Sequence, residues 1–315
     1  MGERTRVAVV DAGTNSTRLL IADVAGDGSV TEIDRRSQVT RLGDGVDRTG
    51  DLRRDAMERV FAVMDRYAAA IGSAGCDTSV AILTSAVRDA ANGSAFADEL
   101  SDRFGIEARV ITGDTEAELT YRGAVDDFTA PDGRPLLVVD IGGGSTELVV
   151  GHGDDVEFHV STQAGVVRQS ERFLATDPPA EQDLERLAGE VRSTFTAAVP
   201  EPVRASRPLG IAVAGTPTSC AAVAQELEPY DSTRVHGFRL TRAECERQLK
   251  WLGSLPLAER RAVPGLHPDR APTVVAGVAI LIEAMWTFSL DEVVVSEHDL
   301  LRGVARTLAA SPTRG

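Results

Sequence analysis

Two stretches of the chain combine an acid, a glycine and hydroxyl residues in one spacing. Val7-Ala-Val-Val-Asp11-Ala-Gly13-Thr14-Asn15-Ser16-Thr17-Arg18-Leu-Leu-Ile21 stands near the N-terminus. Leu137-Val-Val-Asp140-Ile-Gly142-Gly143-Gly144-Ser145-Thr146-Glu147-Leu-Val-Val150 stands in the middle. Both carry Asp-x-Gly-x-x-Ser-Thr between apolar runs. Glycine lets backbone approach a ligand with no Cβ in the way. Hydroxyls and successive backbone N–H groups can then wrap an anion. An Asp at a strand end is well placed for a divalent cation or its waters. Two copies suggest two halves that hold one phosphate ligand between them. The plainer reading is a pair of Gly-rich hairpins whose Asp and Ser satisfy turn backbone; the repeated spacing weighs against it.

Each stretch reads as a buried strand, a tight turn and a second buried strand. Val30 to Thr40 reads as a third strand, followed by the glycine loop Arg41-Leu-Gly43-Asp-Gly45. Asp51 to Ile71 has apolar residues at helical spacing, with Gly72 as its stop. Thr78 to Leu83 is a strand, and Thr84-Ser-Ala-Val-Arg88-Asp-Ala-Ala-Asn92 follows it. Ser94 is the expected cap of a helix ending at Phe104 and Gly105. After a short strand, Thr112-Gly113-Asp114-Thr-Glu116-Ala-Glu118-Leu119 turns into a helix. This is the element order of an α/β layer domain, whose functional loops sit at the carboxyl ends of strands. Asp11, Arg88 and Glu116 all fall at or just past such ends.

Asp126 to Pro135 is the expected linker and hinge, and the second hairpin starts directly after it. Gln163-Ala-Gly165-Val-Val-Arg168 opens a helix, and Glu181 to Ala197 is helical. Gly215-Thr216-Pro217-Thr218 starts another helix with an anion-friendly N-terminus. Thr241-x-x-Glu244 is a capping box. A long helix is expected over Asp269 to Thr287, and a closing helix from His298 onward ends in a frayed Ser-Pro-Thr-Arg-Gly tail.

At 315 residues, two domains are the default. The hydrophobic fraction of 43% is ample for packed cores. No apolar run is long enough to span a bilayer, and no charged-then-apolar leader precedes the Val7 strand. Cys76, Cys220 and Cys245 fit neither a disulfide framework nor a zinc site, so a cytoplasmic location is expected. The five histidines show no metal-ligand spacing either. A net charge of −15 argues against nucleic acid and acidic membranes as partners. Positive charge is nearly all arginine, with Lys250 the only lysine.

With these segments in order, the chain resembles the exopolyphosphatase/guanosine pentaphosphatase (Ppx/GppA) branch of the actin/Hsp70/sugar-kinase superfamily. The resemblance rests on the paired hairpins and on the segments around Arg88, Glu116 and Gly215. Val235-His-Gly237, Pro264-Gly-Leu-His-Pro-Asp-Arg270 and Ser296-Glu-His-Asp-Leu add to it, and together they cover essentially the whole chain. The family commonly has Ser-Gly where this chain has Thr112-Gly113; the hydroxyl is kept.

The resemblance implies two ribonuclease H-like (actin-like ATPase) domains with an active-site cleft between them, in the family's short form. The expected bounds are 1–125, completed by the C-terminal helix 298–315, then the linker 126–135 and a second domain 136–297. The implied activity is hydrolysis of the terminal phosphoanhydride of inorganic polyphosphate, releasing orthophosphate, with short chains the expected preference. Gly13, Thr14, Asn15 and Ser16 would cradle phosphate oxygens from one side, and Gly142, Gly143, Gly144 and Ser145 from the other. Asp11, Asp140 and Glu147 would hold Mg²⁺, with Mn²⁺ the alternative. Arg88 would contact the phosphate chain, and Glu116 would be the base that orients or deprotonates water. Arg41 and Arg168 lie in loops the family places near the cleft. A homodimer is also expected, because dimers are common in the family.

Each assignment has a plainer competitor. Glu116 in a first helical turn suits the dipole. Arg88 could pair with the region of Asp89, and Glu147 could be a solvated strand residue. Guanosine pentaphosphate (pppGpp), which would tie the protein to the stringent response, is the alternative substrate. A kinase of the superfamily or a non-catalytic phosphate sensor is a more distant reading.

Overall fold

A computed structural model describes residues 4–130 and 132–310. The chain divides into two compact units, with the boundaries at Gly123/Ala124 and Asp299/Leu300.

The first unit is built on a sheet of five strands: β1 (Arg4–Ala12), β2 (Ser16–Ala25), β3 (Val30–Val39), β4 (Thr78–Leu83) and β5 (Glu107–Val110). Their order across the sheet is β3-β2-β1-β4-β5. β1 pairs antiparallel with β2 and parallel with β4, and β4 is parallel to β5. An apolar run with period-2 alternation supplies both faces of β1. Ala8, Val10 and Ala12 pack with the helices Arg54–Ala74 and Gly93–Phe104, through Phe61, Met64, Phe96 and Leu100. Val7 and Val9 pack on the other face with Leu301, Val304 and Ala305 of the helix Leu300–Ala310. That helix also lies close to the helix Gly113–Ala124, where a Cβ on Gly303 would meet the Leu119 carbonyl at 1.9 Å.

The second unit repeats the plan. Its strands are β6 (Leu136–Ile141), β7 (Thr146–His152), β8 (Asp155–Thr162), β9 (Leu209–Val213), β10 (Arg239–Thr241) and β11 (Glu292–Val295). The sheet order is β10-β11-β9-β6-β7-β8. From β8 to β11 this is the first unit's order again, antiparallel at the hairpins and parallel at the crossovers. Both sheets thus have the ribonuclease H-like topology of actin-like ATPases. The helix Val274–Thr287 is buried from Val274 to Met285 and apolar over that span except for Glu283, as expected of a core helix. Among the described residues, no helix is long and apolar enough to cross a membrane.

Three expected boundaries move. The helix Arg54–Ala74 runs through Gly72 and stops at Gly75, whose φ of 64° is the left-handed cap conformation. Ser94 is not a cap: the residue before that helix is Asn92, whose side chain makes both hydrogen bonds of an amide to the Leu52 backbone. The long helix starts at Val274 rather than Asp269, because Pro272 disfavours helical backbone at Ala271. The Thr241 cap forms as expected, its hydroxyl accepting from the Glu244 N–H at 3.2 Å. The tail 311–315 lies outside the described residues.

Candidate active site

The two glycine turns are built alike. Gly13 N–H donates to the Ser16 carbonyl at 3.0 Å, and Gly142 N–H donates to the Ser145 carbonyl at 2.9 Å. A Cβ would stand 3.2 Å from Ser16 O in the first and 3.1 Å from Ser145 O in the second, so glycine keeps both turns tight.

The carbonyls of both turns are committed to the segments that follow. Thr14 O accepts from Gly43 N at 2.9 Å, and Asn15 O accepts from Thr40 N and Arg41 N at 3.0 and 2.9 Å. Gly142 O and Gly143 O accept from Val166 N and Val167 N at 2.9 and 2.8 Å, while Gly144 O accepts from Arg168 Nε at 2.9 Å. With the carbonyls so used, the amide side of each turn is the face suited to an anion. Arg168 therefore braces the second turn. Arg41 is exposed, with φ 50°, and serves the first turn through its backbone N–H.

The braces themselves were not legible in the sequence. A Cβ on Gly43 would lie 2.2 Å from Thr14 Cγ2, and one on Gly165 would lie 2.3 Å from Gly143 O. The Gly43 segment was visible as a loop and the Gly165 segment as a helix start; that each packs against a turn is a tertiary fact.

In the first unit the short helix Ser85–Asp89 joins two candidate groups. Ser85 Oγ lies 2.8 Å from Thr14 Oγ1 in a buried hydroxyl pair. Arg88 Nη1 donates to Glu116 Oε2 and to the Ile111 carbonyl, both at 3.0 Å. Its contact with Asp89 is longer, at 3.9 Å. Glu116 is buried, and its N–H caps back onto Thr112 O at 2.9 Å. Glu118 faces elsewhere, exposed and paired with Arg122 at 2.6 Å.

The acids at the strand ends differ between the units. Asp11 stands opposite Arg18 in the β1–β2 register, and Asp140 stands opposite Glu147 in the β6–β7 register. Arg18 donates to Asp11 Oδ2 from Nε at 2.9 Å and from Nη2 at 2.7 Å. Glu147 is 1% exposed and Asp140 6%, so neither is a solvated strand residue. Ser161 Oγ donates to Glu147 Oε1 at 2.8 Å. Buried carboxylates facing one another across two strands repel unless a proton or cation intervenes, and all-oxygen donors suit Mg²⁺ or Mn²⁺.

The helix start at Gly215 carries a feature that the sequence did not announce. Arg270 fills the space beside it, with Nη1 only 1.3 Å from where a Cβ would stand, and Ala214 before it has φ 69°. Cys220 and Cys245 are buried, and burial pushes the Cys245 thiol up to about 12, so neither is an activated nucleophile.

Two histidines without metal spacing in the sequence do come together with an acid. Ligand atoms of Asp127, His236 and His298 lie within 4.8 Å of one another. His298 Nδ1 is 2.7 Å and His236 Nε2 3.6 Å from Asp127 Oδ2, and the rings are 4.5 Å apart. However, His236 Nδ1 accepts from the Glu297 N–H at 3.2 Å, so the neutral ring carries its proton on Nε2, facing Asp127. A metal would need that lone pair. The arrangement therefore favours a polar His–Asp cluster over a metal site, placed within a few residues of both points where the chain passes between units.

Comparison with known proteins agrees with this reading of the fold. The chain is 37% identical to Exopolyphosphatase 2 of Mycobacterium tuberculosis over 97% of its own length and 99% of the relative's. A crystal structure of the Aquifex aeolicus member of the Ppx/GppA family superimposes with a TM-score of 0.82 at 30% identity, covering 99% of this chain and 100% of that one. An exopolyphosphatase from Cytophaga hutchinsonii superimposes with a TM-score of 0.86 at 26% identity, covering 97% and 98%. Residues 6–310 match the Ppx/GppA phosphatase family, and with the duplicated fold and glycine turns already described, the chain belongs to that family.

Proposed function

We propose that the protein is an exopolyphosphatase, releasing orthophosphate from the end of inorganic polyphosphate. The observation that carries this is the short helix Ser85–Asp89, which binds the first glycine turn through Ser85–Thr14 and holds Glu116 through Arg88. A phosphate-binding turn and a buried carboxylate are thereby kept in one rigid arrangement, as phosphoryl transfer to water requires.

In this reading each turn offers amides and hydroxyls to phosphate oxygens. Glu116 accepts a proton from the attacking water; a new P–O bond forms while the terminal P–O–P bond breaks, and the shortened chain leaves as the anion. Arg88 orients Glu116 and adds positive charge beside the phosphate oxygens. The buried acids Asp140 and Glu147 fit a divalent cation, and Mg²⁺ bound there would neutralise phosphate charge. Asp11 fits that role less well, because Arg18 already occupies it.

The test is phosphate release by purified protein with Mg²⁺, comparing short polyphosphate, long polyphosphate and pppGpp at matched terminal-phosphate concentration. Fast release from polyphosphate, lost in Glu116→Gln, is the expected result. Release mainly from pppGpp would make the protein a guanosine pentaphosphate phosphohydrolase. Release from none of them would overturn the hydrolase reading.

A further inference from the structure

The first glycine turn is braced by two peptide units that are themselves gripped by one arginine. Asn15 O accepts from Thr40 N and Arg41 N, at 3.0 and 2.9 Å. The carbonyls of those same two residues accept from the Arg59 guanidinium, Thr40 O from Nε at 2.7 Å and Arg41 O from Nη2 at 3.2 Å. Arg41 O also accepts from Asp44 N at 3.2 Å. Arg59 stands in the helix Arg54–Ala74, and its Nη1 donates to Asp55 one turn earlier, at 2.9 Å. A guanidinium is planar and presents its donors at fixed angles. Two successive carbonyls bound by Nε and Nη2 are thereby fixed relative to each other.

The braced segment is one that needs holding. Arg41 has φ 50°, a left-handed conformation that is unfavourable for a residue with a Cβ and persists only where surrounding contacts impose it. In that conformation its N–H converges with that of Thr40 on one acceptor in the turn. Thr40 is buried, and its hydroxyl lies 3.0 Å from that of Thr17, which ties the segment to the turn's exit strand as well. The Arg59–Asp55 pair is 41% and 53% exposed, so it is a solvated surface pair of small worth. The contacts that matter to the turn are those with the two carbonyls. In the second unit Arg168 reaches the turn's Gly144 O directly, whereas Arg59 acts one peptide further out.

We infer that Arg59 is a positioning residue for phosphate binding. It fixes the Thr40–Arg41 peptides, these fix Asn15 O, and the amides of the first turn keep the direction in which they meet phosphate oxygens. This rests on the reading of that turn as a phosphate cradle, and it deepens that reading. The role lies in the geometry of the donors and needs no contact between Arg59 and the substrate. A lysine ammonium is a compact charge on a flexible stem, so it replaces the fork only in part.

The experiment measures tripolyphosphate binding with Mg²⁺ by isothermal titration calorimetry in a Glu116→Gln background, where turnover should be slow. Phosphate-release kinetics in the unmodified background and hydrogen–deuterium exchange of segments 13–18 and 39–44 accompany it. The variants are Arg59→Met, Arg59→Lys, Asp55→Asn and, as a control from the same helix, Arg54→Met, whose partners are Glu58 and Glu99; circular dichroism checks folding. Arg59→Met should weaken tripolyphosphate binding and raise KM by about tenfold, with kcat within about threefold and faster exchange in both segments. Arg59→Lys should recover part of the loss, and Asp55→Asn and Arg54→Met should leave affinity within about twofold. Faster exchange with unchanged affinity in Arg59→Met overturns the positioning role, as does an equal weakening in Arg54→Met or a background protein that binds no tripolyphosphate. Binding in the expected pattern without phosphate release from the unmodified protein would refute the proposed activity and leave the role of Arg59 standing.

Discussion

Arg88 holds Glu116 with the same nitrogen that it uses on the Ile111 carbonyl, each contact at 3.0 Å. The carboxylate is thus fixed by a donor that is itself anchored to the chain at the end of β5. A carboxylate that only answered the helix dipole would gain from proximity to the helix N-terminus alone and would need no arginine partner. The Arg88 contact instead fixes the orientation of the carboxylate, as the role proposed for Glu116 would need.

Glu116→Gln keeps an oxygen for Arg88 and so keeps the fold. Turnover of polyphosphate should fall by about 10²–10⁴-fold, the usual contribution of a positioned base. Phosphate release and circular dichroism check this together. Near-normal turnover would remove the assigned role.

Arg88→Met leaves the Glu116 carboxylate buried without its charged donor. Stability should drop by about 1–3 kcal/mol, seen as an earlier urea midpoint, and activity should be lost with it. In the double variant Arg88→Met/Glu116→Gln stability should largely return while activity does not.

Gly165→Ala places a methyl group 2.3 Å from the Gly143 carbonyl. The second turn must shift to admit it. Phosphate affinity should fall more than stability, read as KM against thermal midpoint. Gly189→Ala serves as a control, since a Cβ there meets nothing within 4 Å.

Glu283 is 3% exposed inside the second unit and is satisfied by a two-pronged contact from Arg192, both bonds 2.8 Å. Arg192 is 61% exposed, so water screens part of the pair, and Arg192→Met should cost about 1–3 kcal/mol by leaving the carboxylate without its donor. Arg192→Met/Glu283→Leu should recover most of that in denaturant titration. Equal destabilisation of both variants would mean that the pair itself, and not the stranded charge, dominates.

Tyr67 donates its hydroxyl to the Thr17 carbonyl at 3.1 Å, and burial pushes its ionisation from 10.0 to about 12. A group raised in the folded state contributes stability that is full below its unfolded value and is lost as pH climbs toward the folded one. Thermal stability should therefore decline between pH 10 and 12, and Tyr67→Phe should decline less over that interval. An identical slope in the variant would assign the alkaline loss to other groups.

The hairpins were legible because everything that makes them is local: apolar alternation, a glycine that permits the turn, and hydroxyls next to it. That Glu116 stands in a first helical turn was legible too, from the strand end and the Thr112 start of the helix, whereas its role as base came from the family resemblance alone. Charge and composition likewise belong to the sequence. Helix ends were less secure: a glycine such as Gly72 costs a helix only about 1 kcal/mol, and tertiary packing decides whether it stops there. What only the tertiary structure decided was partnership between distant positions. No spacing reveals that Gly165 packs on Gly143, that Arg88 turns to Glu116 rather than Asp89, or that His236 and His298 meet at Asp127. Even Asp11 and Arg18, which are close in sequence, needed the strand register before their opposition could be seen. Local propensity fixes which residues reach a strand end or a turn, whereas pairing depends on how sheets and helices bring separate strand ends together, and that is set by packing of the whole core.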